Sequence, residues 1–138
     1  MRPALIAAAF LLVVMPAIAD PLPVCKGGNR VERELTCLVD GDTGYERGLH
    51  WRLKDIDTPE MSSHAECGHE ATLAVRARDR LRVLMGDGYQ IIDTGEVGRY
   101  GRSIVRIRLA DGRDAGYVLL SENLAQPWPN EGNRWCGR

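Results

Sequence analysis

Apolar and polar residues alternate in two short segments of the first half of the chain, residues 34–39 and 49–53. A period of two places every second side chain on one face, as in a strand with a single buried side. Asp40-Gly41-Asp42 has turn chemistry, and two glycines bracket a second tight turn. The pattern predicts three strands, the last of which ends before Pro59 because proline cannot continue a β-ladder.

The chain then changes to a helical period before it returns to strands. Apolar residues from Leu73 to Leu84 recur on one face, which predicts a helix of about twenty residues that Gly86-Asp87-Gly88 ends. Strand patterns follow over 89–97 and 102–109, and a short helix is predicted at about 114–124. This order predicts an α+β domain. Five short strands in so small a domain favour a closed or nearly closed barrel, and an OB-type barrel has this count with its helix between the third and fourth strands.

The first nineteen residues follow a different pattern. Arg2 supplies a positive start, an almost unbroken apolar run extends from Ala4 to Met15, and Ala17-Ile18-Ala19 offers small residues where a signal peptidase cuts. The run is about a dozen residues, against the ~20 that span a bilayer, so a cleaved signal peptide is favoured over a retained anchor. We expect residues 1–19 to be removed on export, giving a secreted or periplasmic protein without a membrane association.

The rest of the chain is expected to form an irregular arm at residues 20–31 and one domain over 32–138, enough for a modest core. The full sequence carries 18 Lys and Arg against 19 Asp and Glu. Removal of Arg2 leaves 17 basic side chains against 19 acidic ones, a net charge near −2. Proteins that bind nucleic acid by bulk attraction are usually strongly basic. Any phosphate binding must therefore come from a local cluster of charges.

All four cysteines lie beyond the expected signal. An even number in a small exported chain indicates two disulfides, for which three pairings are possible. We favour Cys25–Cys37, which closes a short loop, and Cys67–Cys136, which ties the end of the chain to its middle. Closing a loop of roughly 70 residues stabilises by about 4 kcal/mol in the chain-entropy model. A zinc site is disfavoured because the spacings of His64 and His69 from Cys67 do not match a paired CxxC arrangement.

Three charged clusters carry the candidate chemistry. They are Asp40-Gly41-Asp42-Thr43, the segment from Arg52 to Asp57-Thr58-Pro59-Glu60, and Tyr100-Gly101-Arg102. Taken singly, each has an ordinary explanation as a hairpin turn, a capping segment or a solvated strand arginine. Together and in this order they resemble the staphylococcal nuclease (thermonuclease) family, whose motifs read Asp-Gly-Asp-Thr, then Arg followed after four intervening residues by Asp-Thr-Pro-Glu, then Tyr-Gly-Arg. The resemblance covers about residues 34–124 and implies that family's five-stranded OB-fold barrel.

The resemblance also implies a calcium site. Asp42 and Asp57 would supply carboxylates and Thr58 its backbone carbonyl, in keeping with the oxygen ligands that Ca²⁺ prefers. Asp40 would lie close to the ion without binding it directly.

The resemblance implies a catalytic set as well. The transition state of phosphodiester cleavage carries extra charge on its equatorial oxygens, which a cation and fixed guanidinium groups can stabilise. Arg52 and Arg102 would clamp the scissile phosphate, because the planar fork of arginine pairs with two phosphate oxygens at once. Both lie on the polar sides of their predicted strands, which supports the assignment independently. Glu60 would deprotonate or orient the attacking water.

Three further residues are candidates for substrate binding. Tyr100 could donate a hydrogen bond to a neighbouring phosphate and Arg99 could add positive charge, with a plain surface role as the alternative for each. Trp128 stands where the type enzyme carries tyrosines that flank the nucleotide. It could stack on a base or pack under the barrel. The three histidines are left outside the catalytic set.

The function that the resemblance implies is an exported, calcium-dependent endonuclease. It would hydrolyse DNA and RNA with little sequence preference, contact the phosphate backbone rather than base edges, and leave 3′-phosphate products. We expect a monomer. The alternatives are a non-catalytic OB-fold module that binds nucleic acid or another partner, and an exported structural domain. Such modules usually lose part of the five-residue set of Asp42, Arg52, Asp57, Glu60 and Arg102, which is complete in this sequence.

Overall fold

The computed structural model describes residues 19–137, so the expected signal peptide lies, except for Ala19, outside the described residues. The described chain is a mixed α+β domain with a five-stranded sheet, a two-stranded sheet and two α-helices. In chain order, the elements are β1 (Cys37–Leu38), β2 (Thr43–Glu46), β3 (Leu49–Leu53), β4 (Ile56–Asp57), α1 (Gly68–Gly86), β5 (Tyr89–Val97), β6 (Ser103–Leu109), α2 (Ala115–Ser121) and β7 (Gln126–Pro127).

The large sheet has the order β1-β2-β3-β6-β5. Its neighbouring strands are antiparallel except β3 and β6, which are parallel. A parallel pair needs a long crossover, and α1 lies in it, between the third and fourth strands of this sheet. Within residues 19–137 the pairing leaves β1 and β5 as edges, so the hydrogen bonds do not close the sheet into the barrel that the strand count favoured.

The small sheet was not predicted. Strand β4 pairs with β7 through Ile56↔Pro127 and Asp57↔Gln126, and the N–H of Trp128 donates to the carbonyl of Asp55 at 3.0 Å. Two-residue strands are too short to show a period of two. The pairing brings residues 126–128 beside the second charged cluster.

Strand β1 is shorter than the alternation over residues 34–39 predicted. The chain turns before it, with Glu34 at φ 50° and its N–H bonded to the carbonyl of Val31. The N–H of Gly48 donates to the carbonyl of Leu35, so the hairpin turn packs against these residues. A Cβ on Gly48, which has φ 84°, would lie 2.7 Å from the carbonyl oxygen of Val31. This contact with the hairpin outweighs the local strand pattern.

The core lies between the sheet and the inner face of α1. It contains Leu38, Trp51 and Val105, each 0% exposed, and burying a side chain of this size contributes about 1.5–3 kcal/mol. Gly44 allows Trp51 to fit, because a Cβ there would lie 2.5 Å from the indole ring. Helix α1 turns Ala74 fully inward, whereas Leu73 of the predicted apolar face is only half-buried.

The structure contains both favoured disulfides, Cys25–Cys37 and Cys67–Cys136. The first fixes the arm against β1, where the N–H of Cys25 donates to the carbonyl of Leu38 at 2.9 Å. The second joins the N-cap of α1 to the end of the chain. Over residues 19–137, the helices are all too short or too polar to cross a membrane.

Candidate active site

The three charged clusters meet in one surface cavity of about 680 Å³. It lies where the turn before β2, the outer face of β3 and the segment before β6 come together. The charged and aromatic side chains that line it are Asp40, Asp42, Arg52, Asp57, Glu60, His64, Arg99, Tyr100, Arg102 and Trp128. Among the predicted calcium, catalytic and substrate-binding residues, only Thr58 is not part of this lining.

Three contacts hold Asp42, which lies in the turn before β2. Its Oδ1 accepts from the hydroxyl of Thr43 at 2.8 Å, and its Oδ2 accepts from the backbone N–H of Thr58 at 3.0 Å. Oδ2 also lies 3.3 Å from Nη1 of Arg52, and the residue is 3% exposed. A Cβ on Gly41 would lie 2.9 Å from side-chain atoms of Ala77 and Thr58, so the turn packs tightly onto α1. These contacts give the buried carboxylate a fixed orientation.

Arg52 lies between the two carboxylates that were expected to bind calcium. Its Nη1 is 3.3 Å from Oδ2 of Asp42, and its Nη2 is 3.7 Å from Oδ1 of Asp57. Nη2 also donates to the carbonyl of Ile56 at 3.2 Å. Since one cationic group contacts both carboxylates, Asp42 and Asp57 face the same small volume.

Asp57 is held from the opposite side by the end of the chain. Its Oδ2 accepts from Nε2 of Gln126 and from Nδ2 of Asn130, both at 3.0 Å. Oδ1 is left facing Arg52 and the cavity. The two amide donors therefore orient the carboxylate in the way that buried metal-binding carboxylates are oriented by hydrogen bonds.

Arg102 reaches the same cavity from the residue before β6. Its Nε donates to the carbonyl of Arg99 at 3.1 Å, and its Nη1 donates to Oγ1 of Thr43 at 3.2 Å. Thr43 thus links the guanidinium to Asp42, because the same hydroxyl donates to that carboxylate. The segment 99–101 forms one 3₁₀ turn in which Tyr100 has φ 62°. A non-glycine residue in this conformation is strained, a feature that occurs often at functional sites.

Glu60 lies at the exposed rim of the cavity. Its backbone N–H donates to Oε1 of Glu70 at 3.1 Å, and the backbone N–H of Glu66 donates to Oε2 of Glu70 at 2.8 Å. Glu70 is 1% exposed. Both ends of the loop 60–66 are therefore fastened to one buried carboxylate in the first turn of α1.

The carboxylates of the cavity act on one another. Burial, and then the charges of Asp42 and Glu60, raise the pKa of Asp40 well above its usual range. Partial burial, followed by the charges of Asp42 and Asp57, raises the pKa of Glu60. Four carboxylates and three guanidinium groups line the cavity. A bound cation would offset the repulsion among these carboxylates.

The donor set fits a hard cation by its chemistry. Asp42 and Asp57 both offer an oxygen toward the volume that Arg52 contacts, and Ca²⁺ takes oxygen ligands from carboxylates, carbonyls and water. In the described part of the chain, no three His, Cys, Asp or Glu side chains form a metal-binding group. Two carboxylates would thus need a backbone carbonyl and water to complete a coordination shell. The backbone N–H of Thr58 donates to Asp42. The hydroxyl of Thr58 is buried without a hydrogen-bond partner within residues 19–137.

Two exposed aromatic residues flank the guanidinium groups. The guanidinium carbon of Arg52 lies 5.5 Å from the ring centre of Trp128, and that of Arg102 lies 5.6 Å from the ring centre of Tyr100. Trp128 is 48% exposed and lines the cavity, so it does not pack under the sheet. Arg99 is exposed beside Tyr100.

Several residues of this site were not singled out from the sequence. Thr43 was quoted only as part of a motif, although its hydroxyl joins Asp42 to Arg102. Glu70 stands three residues after the N-cap Cys67, a position typical of helix capping, and this spacing was the available signal. Gln126 and Asn130 had no local signal, because they act through a pairing between distant segments.

Comparison with known proteins gives no family for this chain: no family model matches it, and no curated protein matches it.

Proposed function

We propose that this protein is an exported, calcium-dependent endonuclease of the staphylococcal nuclease type. It would hydrolyse phosphodiester bonds of DNA and RNA. One observation carries the proposal: Arg52 and Arg102, fifty positions apart in the numbering, line one cavity together with Asp42, Asp57 and Glu60. The sequence motifs gave these five residues, and the fold brings them to a single place. A purely structural domain has no need of so many charged groups at the surface of one cavity.

The fold is proposed to be of the OB type. The large sheet has five short strands, and α1 is inserted between its third and fourth strands in chain order. An OB-fold is a partly open five-stranded barrel, so open edges at β1 and β5 are compatible with it.

Phosphate binding is the task of the two arginines. Arg52 and Arg102 come from neighbouring positions of the sheet, since Arg52 pairs with Ile104. Each guanidinium is held by oxygen acceptors of the protein, which fixes its direction before substrate arrives. Preorganised donors stabilise charge that develops in the transition state without reorganisation, and loss of one such donor typically lowers kcat about 10²–10³-fold.

Glu60 is the proposed general base. Its side chain lies at the rim of the cavity, where water has access, and a carboxylate so placed can accept a proton from an attacking water. The loop that carries it is fixed through its backbone to Glu70. Glu60 would take a proton from water as that water attacks the phosphorus held by the arginines. The bond to O5′ breaks, the leaving oxygen takes up a proton from solvent to become the 5′-hydroxyl, and the phosphate stays on the 3′ side.

Asp42, Asp57 and the carbonyl of Thr58 are the proposed calcium ligands. When bound there, Ca²⁺ supplies positive charge that neutralises the phosphodiester and its transition state. Asp42 and Asp57 have hydrogen bonds that fix their directions, from Thr43 and Thr58 in one case and from Gln126 and Asn130 in the other. Arg52 now pairs with both carboxylates, so a bound cation would free its fork for the phosphate.

The test uses purified protein from Asp20 onward with plasmid and single-stranded DNA, in calcium and in a chelator. We expect degradation only with calcium, into fragments whose 3′ ends accept a polymerase only after phosphatase treatment. Arg52→Lys and Glu60→Gln should each lower the rate about 10²–10³-fold. Matched controls are Arg108→Lys and Glu66→Gln, at exposed positions outside the cavity lining.

The competing hypothesis is a non-catalytic module that binds nucleic acid. It predicts that the same protein retains a labelled oligonucleotide in calcium and cleaves none of it. That result, with the protein folded and both disulfides formed, would remove the enzyme proposal.

A further inference from the structure

The outer face of the β2–β3 hairpin carries an aromatic stack next to the cavity. Tyr45 and His50 are cross-strand partners, with ring centres 4.4 Å apart and planes inclined by 5°. The adjacent pair on the same face is Thr43 and Arg52, both of which line the cavity. The stack is therefore the next position along the surface that holds the proposed scissile phosphate.

Two guanidinium groups flank this stack. The guanidinium carbon of Arg30 lies 5.7 Å from the ring centre of Tyr45. In the parallel pairing of β3 with β6, Ser103 is the partner of Trp51. Arg102 and His50 each come one position earlier, so they lie side by side. Besides burial, the fields of Arg102 and Arg30 lower the pKa of His50. The nearby charges that act on the ring are both positive.

A disulfide and a hydrogen bond hold Arg30 and the arm in place. The Cys25–Cys37 disulfide joins the arm to β1, and Nε of Arg30 donates to the carbonyl of Gly27 at 2.9 Å. This leaves the two terminal nitrogens of the guanidinium for other acceptors. Within residues 19–137, neither the hydroxyl of Tyr45 nor a ring nitrogen of His50 takes part in a side-chain hydrogen bond.

A cross-strand ring pair alone would stabilise the hairpin by roughly 0.2–1 kcal/mol. That role does not require cations on both sides of the pair, and like charges so placed repel each other. An anion at the polar edge of the stack would remove this repulsion and would satisfy the free donors. Arginine forks and neutral N–H and O–H groups are the donors that proteins use for phosphate oxygens.

We infer that Arg30, Tyr45 and His50 form a second phosphate subsite, which holds the backbone phosphate next to the scissile one. The inference rests on the proposed function for its substrate class, a polynucleotide. It extends the bound strand from the cavity across the hairpin toward the arm. The subsite reads no base, because its groups are donors to phosphate.

Substrate length provides the test of this subsite. For Arg30→Gln, kcat/KM is measured with a single-stranded 12-mer and with a minimal diester that has one phosphate. We expect kcat/KM for the 12-mer, divided by that for the diester, to fall about tenfold because KM for the 12-mer rises. The slope of log K for 12-mer binding against log salt concentration should become less steep by about 0.7. The matched control is Arg33→Gln, two residues beyond the arm, whose Nη1 donates to the carbonyls of Lys26 and Gly28.

Binding in a chelator separates this inference from the proposed function. Anisotropy of a labelled 12-mer needs no cleavage, so it measures Arg30→Gln, His50→Gln and Arg33→Gln even if the protein is not an enzyme. Weaker binding for the first two, with Arg33→Gln equal to wild type, supports the subsite whether or not DNA is cut. Equal affinities for all three, with unchanged melting temperatures, would overturn it.

Discussion

The backbone N–H of Glu60 donates a hydrogen bond of 3.1 Å to Oε1 of Glu70, a carboxylate that is 1% exposed. Oε2 of Glu70 accepts from the backbone N–H of Glu66 at 2.8 Å and from Nδ2 of Asn133 at 3.3 Å. Hydrogen bonds to a charged group contribute about 1.5–3 kcal/mol each. Glu70, which is not among the proposed substrate-binding residues, thus fixes the start of the loop that carries the proposed general base.

Glu70→Gln tests this positioning role. The amide nitrogen cannot accept a hydrogen bond, so at least one backbone N–H of the loop loses its partner. We expect kcat to fall about tenfold or more, because small displacements of a catalytic group are costly, while KM stays within about twofold. Steady-state kinetics well below the melting temperature measure both constants.

The matched control is Glu66→Gln, which removes the same charge from an exposed side chain of the same loop. It should leave kcat unchanged. A Glu70→Gln variant with wild-type kcat would show that the loop keeps its place without this carboxylate.

Elements with long local patterns were predictable from the sequence. The predicted strand over 89–97 and the predicted end of α1 at Gly86 agree with the structure, because the hydrophobic period and the glycines that end a helix are local features of the sequence. Strands β4 and β7 were not predictable, since their only signal is a pairing between residues 56–57 and 126–127. The open edges of the sheet also depend on distant contacts that no single segment encodes.

The candidate site divides in the same way. Charged residues in ordered motifs marked Asp42, Arg52 and Arg102 from the sequence, and the structure brings them into one cavity. Gln126 and Asn130, whose side-chain amides orient Asp57, lie in a stretch of the sequence without a local pattern, where polar residues are ordinary. Their role depends on the position of the tail, which follows from tertiary pairing and the second disulfide.

Thr43→Val should uncouple Asp42 from Arg102. The threonine hydroxyl donates to Oδ1 of Asp42 and accepts from Nη1 of Arg102, and valine keeps its shape without either bond. We expect kcat/KM to fall about 10–100-fold, the equivalent of about 1.5–3 kcal/mol for hydrogen bonds to charged groups. Thr43→Ser retains the hydroxyl and is the matched control, with activity within a few-fold of wild type. Equal losses for both variants would point to packing as the cause.

Removal of the Cys67–Cys136 disulfide should weaken calcium binding as well as the fold. Cys136→Ala opens a loop with a sequence separation of 69 residues, and the chain-entropy model gives a loss of about 4 kcal/mol. The freed tail carries the two amides that orient Asp57, so we expect the Kd for calcium, measured by calorimetry on folded protein, to rise about tenfold.

The Cys25→Ala/Cys37→Ala double variant is the control for the loss of a disulfide in general. Its loop has a sequence separation of only 12 residues, and within residues 19–137 the side-chain hydrogen bonds and ion pair of Asp57 come from outside the arm. It should lower the melting temperature and leave the calcium Kd unchanged. If both variants weaken calcium binding to the same extent, general loosening rather than the tail is responsible.

His50 should make stability depend on pH in a defined direction. Burial and the charges of Arg102 and Arg30 lower its pKa in the folded protein below the 6.5 of an unfolded chain. As pH falls below 6.5 the unfolded chain takes up the proton first, so stability is lost until pH passes the folded pKa and then levels off. The melting temperature should therefore fall more steeply between about pH 7.5 and 5 for wild type than for His50→Gln, while His69→Gln, at an exposed position of α1, follows wild type. Parallel curves for wild type and His50→Gln would mean that neither burial nor the two guanidinium groups lower the pKa of this ring, and the charge argument for the second phosphate subsite would then lose its support.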